Sequence, residues 1–128
     1  MSSLASGGGI VSECIFCMVA KGEIPSRTVY EDDSVLAFDD IAPQAPVHTL
    51  IIPKTHYADL SDDVPAALLG SLFSVAAQVA VIKGIDKSGY RVIVNSGPDA
   101  CQTVHHLHVH VIGGRPMSHG MVNFADRP

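Results

Sequence analysis

Four of the chain's seven histidines fall in one short stretch, HHLHVHVIGG, as His105, His106, His108 and His110. Side chains of an extended strand alternate between its two faces. His106, His108 and His110 therefore share one face, and His105, Leu107, Val109 and Val111 the other. The apolar set is expected to meet the core, which leaves the three imidazoles on a separate, more open face. An imidazole near neutral pH can be nucleophile, general acid or metal ligand, and three in line can divide those roles. A second pattern is Cys14-Ile15-Phe16-Cys17. One Cys-x2-Cys pair is half of a zinc site, a redox pair, or two small buried thiols. His56 in IPKTH and His106 could complete a Cys2His2 set.

The rest of the composition narrows what such groups could act on. The chain has 128 residues, enough for one domain, with a net charge of −5 and only 8 lysines and arginines. A nucleic-acid backbone needs a basic stripe, so that class of partner is excluded, whereas a small nucleotide is not. No stretch of 18 apolar residues is present, so no membrane span is expected, and no secretory signal is visible. A cytoplasmic protein is the expectation, with nuclear entry left open. Charged residues are only 16% of the chain, which hints at a surface covered by another subunit. Residues 1–12, rich in Gly and Ser, read as a flexible tail, and residues 13–128 as one domain with an irregular C-terminal segment from about 115.

The elements that must position these groups can be read from patterning. CIFCMVAK, residues 14–21, reads as a short helix stopped by Gly22. TVYEDD (28–33), VLAFDD (35–40) and VHTLIIP (47–53) read as three strands. The long helix spans SDDVPAALLGSLFSVAAQVAVI, with Asp62 or Asp63 as cap and Pro65 in its first turn. Leu68, Leu72, Val75, Val79 and Ile82 recur on one face, Leu69, Ala76 and Ala80 widen it, and Gly84 ends it. YRVIVN (90–95) and HLHVHVI (106–112) supply strands four and five around the loop SGPDACQT. This order predicts an α+β fold: a mainly antiparallel sheet of about five strands with one long and one short helix.

The stretch His106-Leu107-His108-Val109-His110-Val111-Ile112 resembles the signature of the histidine-triad nucleotide-binding proteins. FDDIAPQAPVHTLIIPKTH (38–56), GYRVIVNSGPDACQTVHHLHVHVIGGR (89–115) and the segment CIFC...GEIPSRTVYEDD are similar to the nucleoside phosphoramidase branch of that family. The resemblance implies a HIT-like fold whose sheets join across a homodimer. It implies purine nucleoside monophosphates and their phosphoramidates as ligands. The implied reaction is hydrolysis at the α-phosphorus through a covalent nucleotidyl-histidine, as in a purine nucleoside phosphoramidase acting on adenosine 5′-monophosphoramidate.

By the same resemblance, His108 matches the nucleophile and His110 a residue on the phosphate and leaving-group side. Thr103 stands where serine is usual, and His48 supports the row. Asn95, Gln102 and the loop backbone from Ala100 through Cys101 to Val104 would reach or cradle the phosphate. Asp40 would bind the ribose hydroxyls, and Phe38, Ile41 and Leu50 would line the base pocket. Zinc-bearing members use the pattern matched here by Cys14, Cys17, His56 and His106. A zinc ion held by four protein ligands would be structural, because it has no open position for substrate.

Three positions depart from the pattern. His105 replaces a bulky aromatic, Cys101 replaces a glycine in the phosphate loop, and the chain has no tryptophan for its C-terminal segment. A side chain at 101 demands a backbone conformation that glycine adopts more readily. Three other readings compete with the phosphoramidase: a dinucleoside polyphosphate hydrolase, a nucleotide-binding regulator or scaffold with little turnover, and a zinc-binding structural protein.

Overall fold

The computed structural model describes residues 14–120. The expected N-terminal tail, 1–12, lies outside them, as does 121–128 of the C-terminal segment. Helix α1 spans Ile15–Ala20, and strands β1 (Thr28–Glu31), β2 (Val35–Asp39) and β3 (Val47–Pro53) follow. Helix α2 spans Ala66–Ile82, then β4 (Tyr90–Val94), a 3-10 turn (Pro98–Ala100) and β5 (Val109–Gly113). The five strands form one antiparallel sheet in the order β1-β2-β3-β5-β4. The α+β architecture with two helices is as expected.

Alternation along β2 and β3 splits the interior in two. Val35, Ala37 and Ile51 face α2, together with Leu107, Val109 and Val111. Leu36, Phe38, Leu50 and Ile52 face the other way and pack with Phe16, Cys17 and Val19 of α1. The long helix contributes Leu72, Val75, Ala76, Val79 and Ala80 to the first cluster. Leu72 is wholly buried, so Leu72→Ala removes a well-packed side chain at a cost of about 2–5 kcal/mol.

Both ends of α2 differ from expectation. Its N-cap is Pro65, with no side-chain cap. Asp62 accepts instead from the Ala58 amide at 2.8 Å, and Asp63 sits at φ 54°, so these acids shape the preceding turn. At the other end Ile82 is 55% exposed rather than buried. Gly84 takes φ 73°, and the Ile85 amide donates to the Ala80 carbonyl at 2.9 Å, closing a Schellman turn. That turn returns Ile85 to the core in place of Ile82.

The fifth strand is also shorter than predicted. The β3–β5 ladder ends at Ile51↔Val109, so His106 and His108 precede the strand. One reason is chemical: the Pro53 carbonyl accepts from the His106 ring rather than from a strand partner. The segment is instead held by the Leu107 amide, which donates to the Tyr57 carbonyl at 2.6 Å. Alternation survives without the ladder, since Leu107, Val109 and Val111 all face α2.

Candidate functional site

The face carrying the histidines is not open. His106 is completely buried and His108 is 5% exposed, because α1 covers them. Phe16 packs edge-on against His108, with centroids 5.1 Å apart, and against Phe38 at 5.6 Å. Burying imidazoles requires partners for their nitrogens, and a backbone carbonyl supplies one to each of these two rings.

At one end of the row, one donor atom each from Cys14, Cys17, His56 and His106 lies within 4.8 Å of all the others. Cys14 Sγ is 3.4 Å from His106 Nδ1, and Cys17 Sγ is 3.2 Å from His56 Nδ1 and 3.6 Å from His106 Nδ1. A tetrahedral ion at ~2.3 Å from sulfur and ~2.0 Å from nitrogen requires S···N edges of ~3.5 Å. The observed edges fit. The second shell fits too: His106 Nε2 donates to the Pro53 carbonyl at 2.8 Å, which fixes the proton there and leaves Nδ1 as the free lone pair. The Cys17 amide lies 3.4 Å from Cys14 Sγ and donates to it. Burial, then the Cys14 contact, pushes the Cys17 thiol up to about 12 in the absence of a cation. Two adjacent thiolates therefore need a cation between them. The four side chains form a Cys2His2 cluster positioned to bind a metal ion, with the closed donor set of a structural zinc site.

At the other end, backbone groups determine the tautomers. The Gln44 amide can only donate, and it donates to His48 Nδ1 at 3.0 Å. Neutral His48 must then carry its proton on Nε2, which lies 2.9 Å from His110 Nδ1 and 3.5 Å from Asp40 Oδ2. His110 Nδ1 is thus an acceptor, and its proton sits on Nε2. That nitrogen is buried and has no hydrogen-bond partner among the described residues. His108 is set the opposite way. Its Nδ1 donates to the His106 carbonyl at 2.7 Å, so its Nε2 keeps a lone pair, chemically an acceptor and a nucleophile. Burial is the main reason these rings resist protonation. It brings His110 down to about 4, helped by repulsion from His108 and His48, and lowers His108 and His48 as well.

Beside the row lies a cavity of about 430 Å³. Its lining includes most of the residues the sequence suggested: Phe38, Asp40, Ile41 and Leu50 on one side, Thr103, Val104, His108 and His110 on the other. Ile41 is nevertheless 97% exposed, so it borders the mouth. His48 is not part of the lining and hydrogen-bonds to His110, which is. Asn95 and Cys101 do not line the cavity. Gln102 is 7% exposed and its carboxamide is committed to the loop. Its Oε1 accepts from the Gly97 amide at 2.9 Å, and its Nε2 donates to the Ala58 carbonyl at 2.8 Å and the Val104 carbonyl at 3.1 Å. The amides of Ala100, Cys101 and Gln102 are also spent, on Gly97 and Pro98 carbonyls. Of these loop residues, Thr103 and Val104 line the cavity. Cys101 does adopt the left-handed conformation usual for glycine, φ 60° and ψ 38°.

The sequence reading missed the α1 wall: Ile15, Phe16 and Val19 also line the cavity. Phe16, between the ligands Cys14 and Cys17, lies against both His106 and His108.

The HIT-domain family model matches residues 21–117. A 14 kDa zinc-binding protein of Zea mays is 50% identical over 112 residues, covering 84% of this chain and 86% of that protein. A HIT family hydrolase from Legionella pneumophila shares the fold with a TM-score of 0.80 and 44% identity, covering 83% of this chain and 96% of that one. A zinc-bound histidine triad family protein from Mycobacterium smegmatis matches with a TM-score of 0.73 and 36% identity, over 81% of this chain and 76% of that one. The fold, the histidine row and these matches make the chain a member of the HIT-domain family. Within it, the chain stands with zinc-binding relatives.

Two expectations are corrected by these findings. The chain is not placed in the metal-free purine nucleoside phosphoramidase branch, because it carries the complete Cys2His2 cluster and resembles zinc-binding members. The reading as a phosphoramidase working through a covalent nucleotidyl-histidine gives way to a metal-binding or scaffold role. The findings behind this are the complete Cys2His2 cluster and the likeness to zinc-binding members of the family. No helix among the described residues is long and apolar enough to cross a membrane.

Proposed function

We propose that the chain is a zinc-braced nucleotide-binding protein that holds a nucleoside monophosphate in the cavity beside the histidine row, in a regulatory or scaffold role rather than for rapid turnover. The observation that carries this reading is the polarity of that cavity. Phe16, Phe38 and Leu50 offer flat apolar walls suited to a base. Asp40 offers carboxylate lone pairs to ribose hydroxyls, although its Oδ1 already accepts from the Ala42 amide at 2.9 Å. Thr103 and the unspent Nε2–H of His110 offer donors for phosphate oxygens. Asn95 and Cys101 have no part in it. A second copy pairing along the edge strand β4 completes the reading, and light scattering should then give twice the chain's mass.

Calorimetry with adenosine 5′-monophosphate tests the proposal. One nucleotide should bind per chain. His110→Phe removes a hydrogen bond to a charged group and should weaken binding about tenfold or more. Absence of binding at millimolar nucleotide, or fast multiple turnover of a nucleotide ester or amide, would refute it.

A further inference from the structure

The metal cluster and the nucleotide cavity share a wall. Helix α1 is only six residues long, and Cys14 caps it while Cys17 lies within it. A helix this short has no stability of its own. The same turn places Ile15, Phe16 and Val19 in the cavity lining. Phe16 touches both sites: its ring centroid is 6.0 Å from that of the ligand His106 and 5.1 Å from that of His108. A second path runs through His106 itself, whose carbonyl accepts from His108 Nδ1 at 2.7 Å.

The geometry points to reciprocal coupling between metal and nucleotide: an ion at Cys14, Cys17, His56 and His106 docks α1, and docked α1 presents Phe16 as the wall that a nucleotide base packs against. The two states are α1 docked and α1 undocked. The ion holds the docked state through the two thiolates, and the nucleotide holds it through contact with Phe16. Each ligand then spares the other the ordering of α1 and the Phe16 ring, and linkage requires the two effects to be equal. The protein would thus bind nucleotide in proportion to metal supply. This inference rests on the nucleotide reading above.

The test uses the full chain, zinc and adenosine 5′-monophosphate. Nucleotide affinity is measured by calorimetry on zinc-loaded protein and on chelator-stripped protein, with circular dichroism reporting whether the stripped chain stays folded. Zinc retention against a chelator is measured with and without nucleotide. Zinc should tighten nucleotide binding by about tenfold, within the ~5–150-fold range of such couplings. Nucleotide should tighten zinc retention by the same factor. In Phe16→Leu, zinc should still bind one per chain, while the coupling factor falls towards one. The ratio is read rather than the affinity itself, because Phe16 also lines the cavity. Equal nucleotide affinity with and without zinc in folded protein overturns the coupling and leaves the nucleotide reading standing. An undiminished factor in Phe16→Leu overturns it too, even where stripping unfolds the chain. No nucleotide binding to zinc-loaded protein overturns the nucleotide reading and the coupling together.

Discussion

His48 is the residue on which the proton position of His110 depends, and replacing it separates its two hydrogen bonds. In the folded protein it accepts from the Gln44 amide through Nδ1 and donates through Nε2 to His110 Nδ1. His48→Ala deletes a ring that is 5% exposed and leaves His110 Nδ1 without a donor. An unsatisfied buried acceptor costs about 1–3 kcal/mol, and the cavity left by the ring adds to it. The total loss should be about 2–4 kcal/mol. Gln44 is exposed, so water can satisfy its amide and that half of the bridge costs little. His48→Gln restores an N–H near the position of Nε2 and should recover about 1–2 kcal/mol of the loss. Urea unfolding at saturating zinc and fixed protein concentration measures both variants against the parent. Nitrogen NMR of the His110 ring gives the second readout: Nε2 protonated and Nδ1 bare in the parent and in His48→Gln. The reasoning fails if the Gln variant is no more stable than the Ala variant, or if His110 in the parent carries its proton on Nδ1.

The depressed basicity of His110 and His48 makes stability pH-dependent. The unfolded rings protonate near ~6.5 and folded His110 only near about 4. The unfolded state therefore binds more protons between those values, so stability is intact above pH ~6.5 and falls as pH drops towards 4. Allowing for solvent screening of a partly exposed ring, His110 should account for about 1–2 kcal/mol of that fall, and His110→Gln should flatten it in unfolding curves taken from pH 7.5 to 4.5. Cys101→Gly relieves a left-handed side chain worth ~1–2 kcal/mol but adds ~0.5–1 kcal/mol of unfolded-state freedom. The melting temperature should hold or rise slightly, whereas Cys101→Val should lower it. Gly113→Ala would place a Cβ 2.8 Å from Ile85 Cδ1 and 3.2 Å from the Gly89 carbonyl oxygen, so it should destabilise by about 1–3 kcal/mol in urea.

Strand and helix identities were legible because each rests on local periodicity. β3 matches its predicted span, Val47–Pro53, and α2 buries most of the face its spacing marked. The metal ligands were legible in part because Cys-x2-Cys is a local pattern, whereas the choice of His56 and His106 came from the resemblance to zinc-bearing family members. What failed was whatever depends on where backbone polar groups go. Gln102 has the donors and acceptor of a phosphate cradle, yet the Gly97 amide and the Ala58 and Val104 carbonyls take them all. Asp62 and Asp63 have the chemistry of a helix cap, yet the turn before α2 uses the carboxylate of Asp62 first.

The histidine row carries the same lesson into the site. Composition makes His106, His108 and His110 look equivalent, and alternation puts them on one face. Their protons are assigned by three backbone groups: the Pro53 carbonyl for His106, the His106 carbonyl for His108 and, through His48, the Gln44 amide for His110. None of these groups is encoded by a side-chain type at its own position, so composition and alternation alone do not assign the three protons. The row therefore offers a lone pair to a metal, a lone pair on the middle ring and a donor on the last. A substitution at Gln44 or Pro53 that keeps the backbone in place should leave these assignments intact. One that shifts the backbone by as little as an ångström breaks a hydrogen bond and should disturb them.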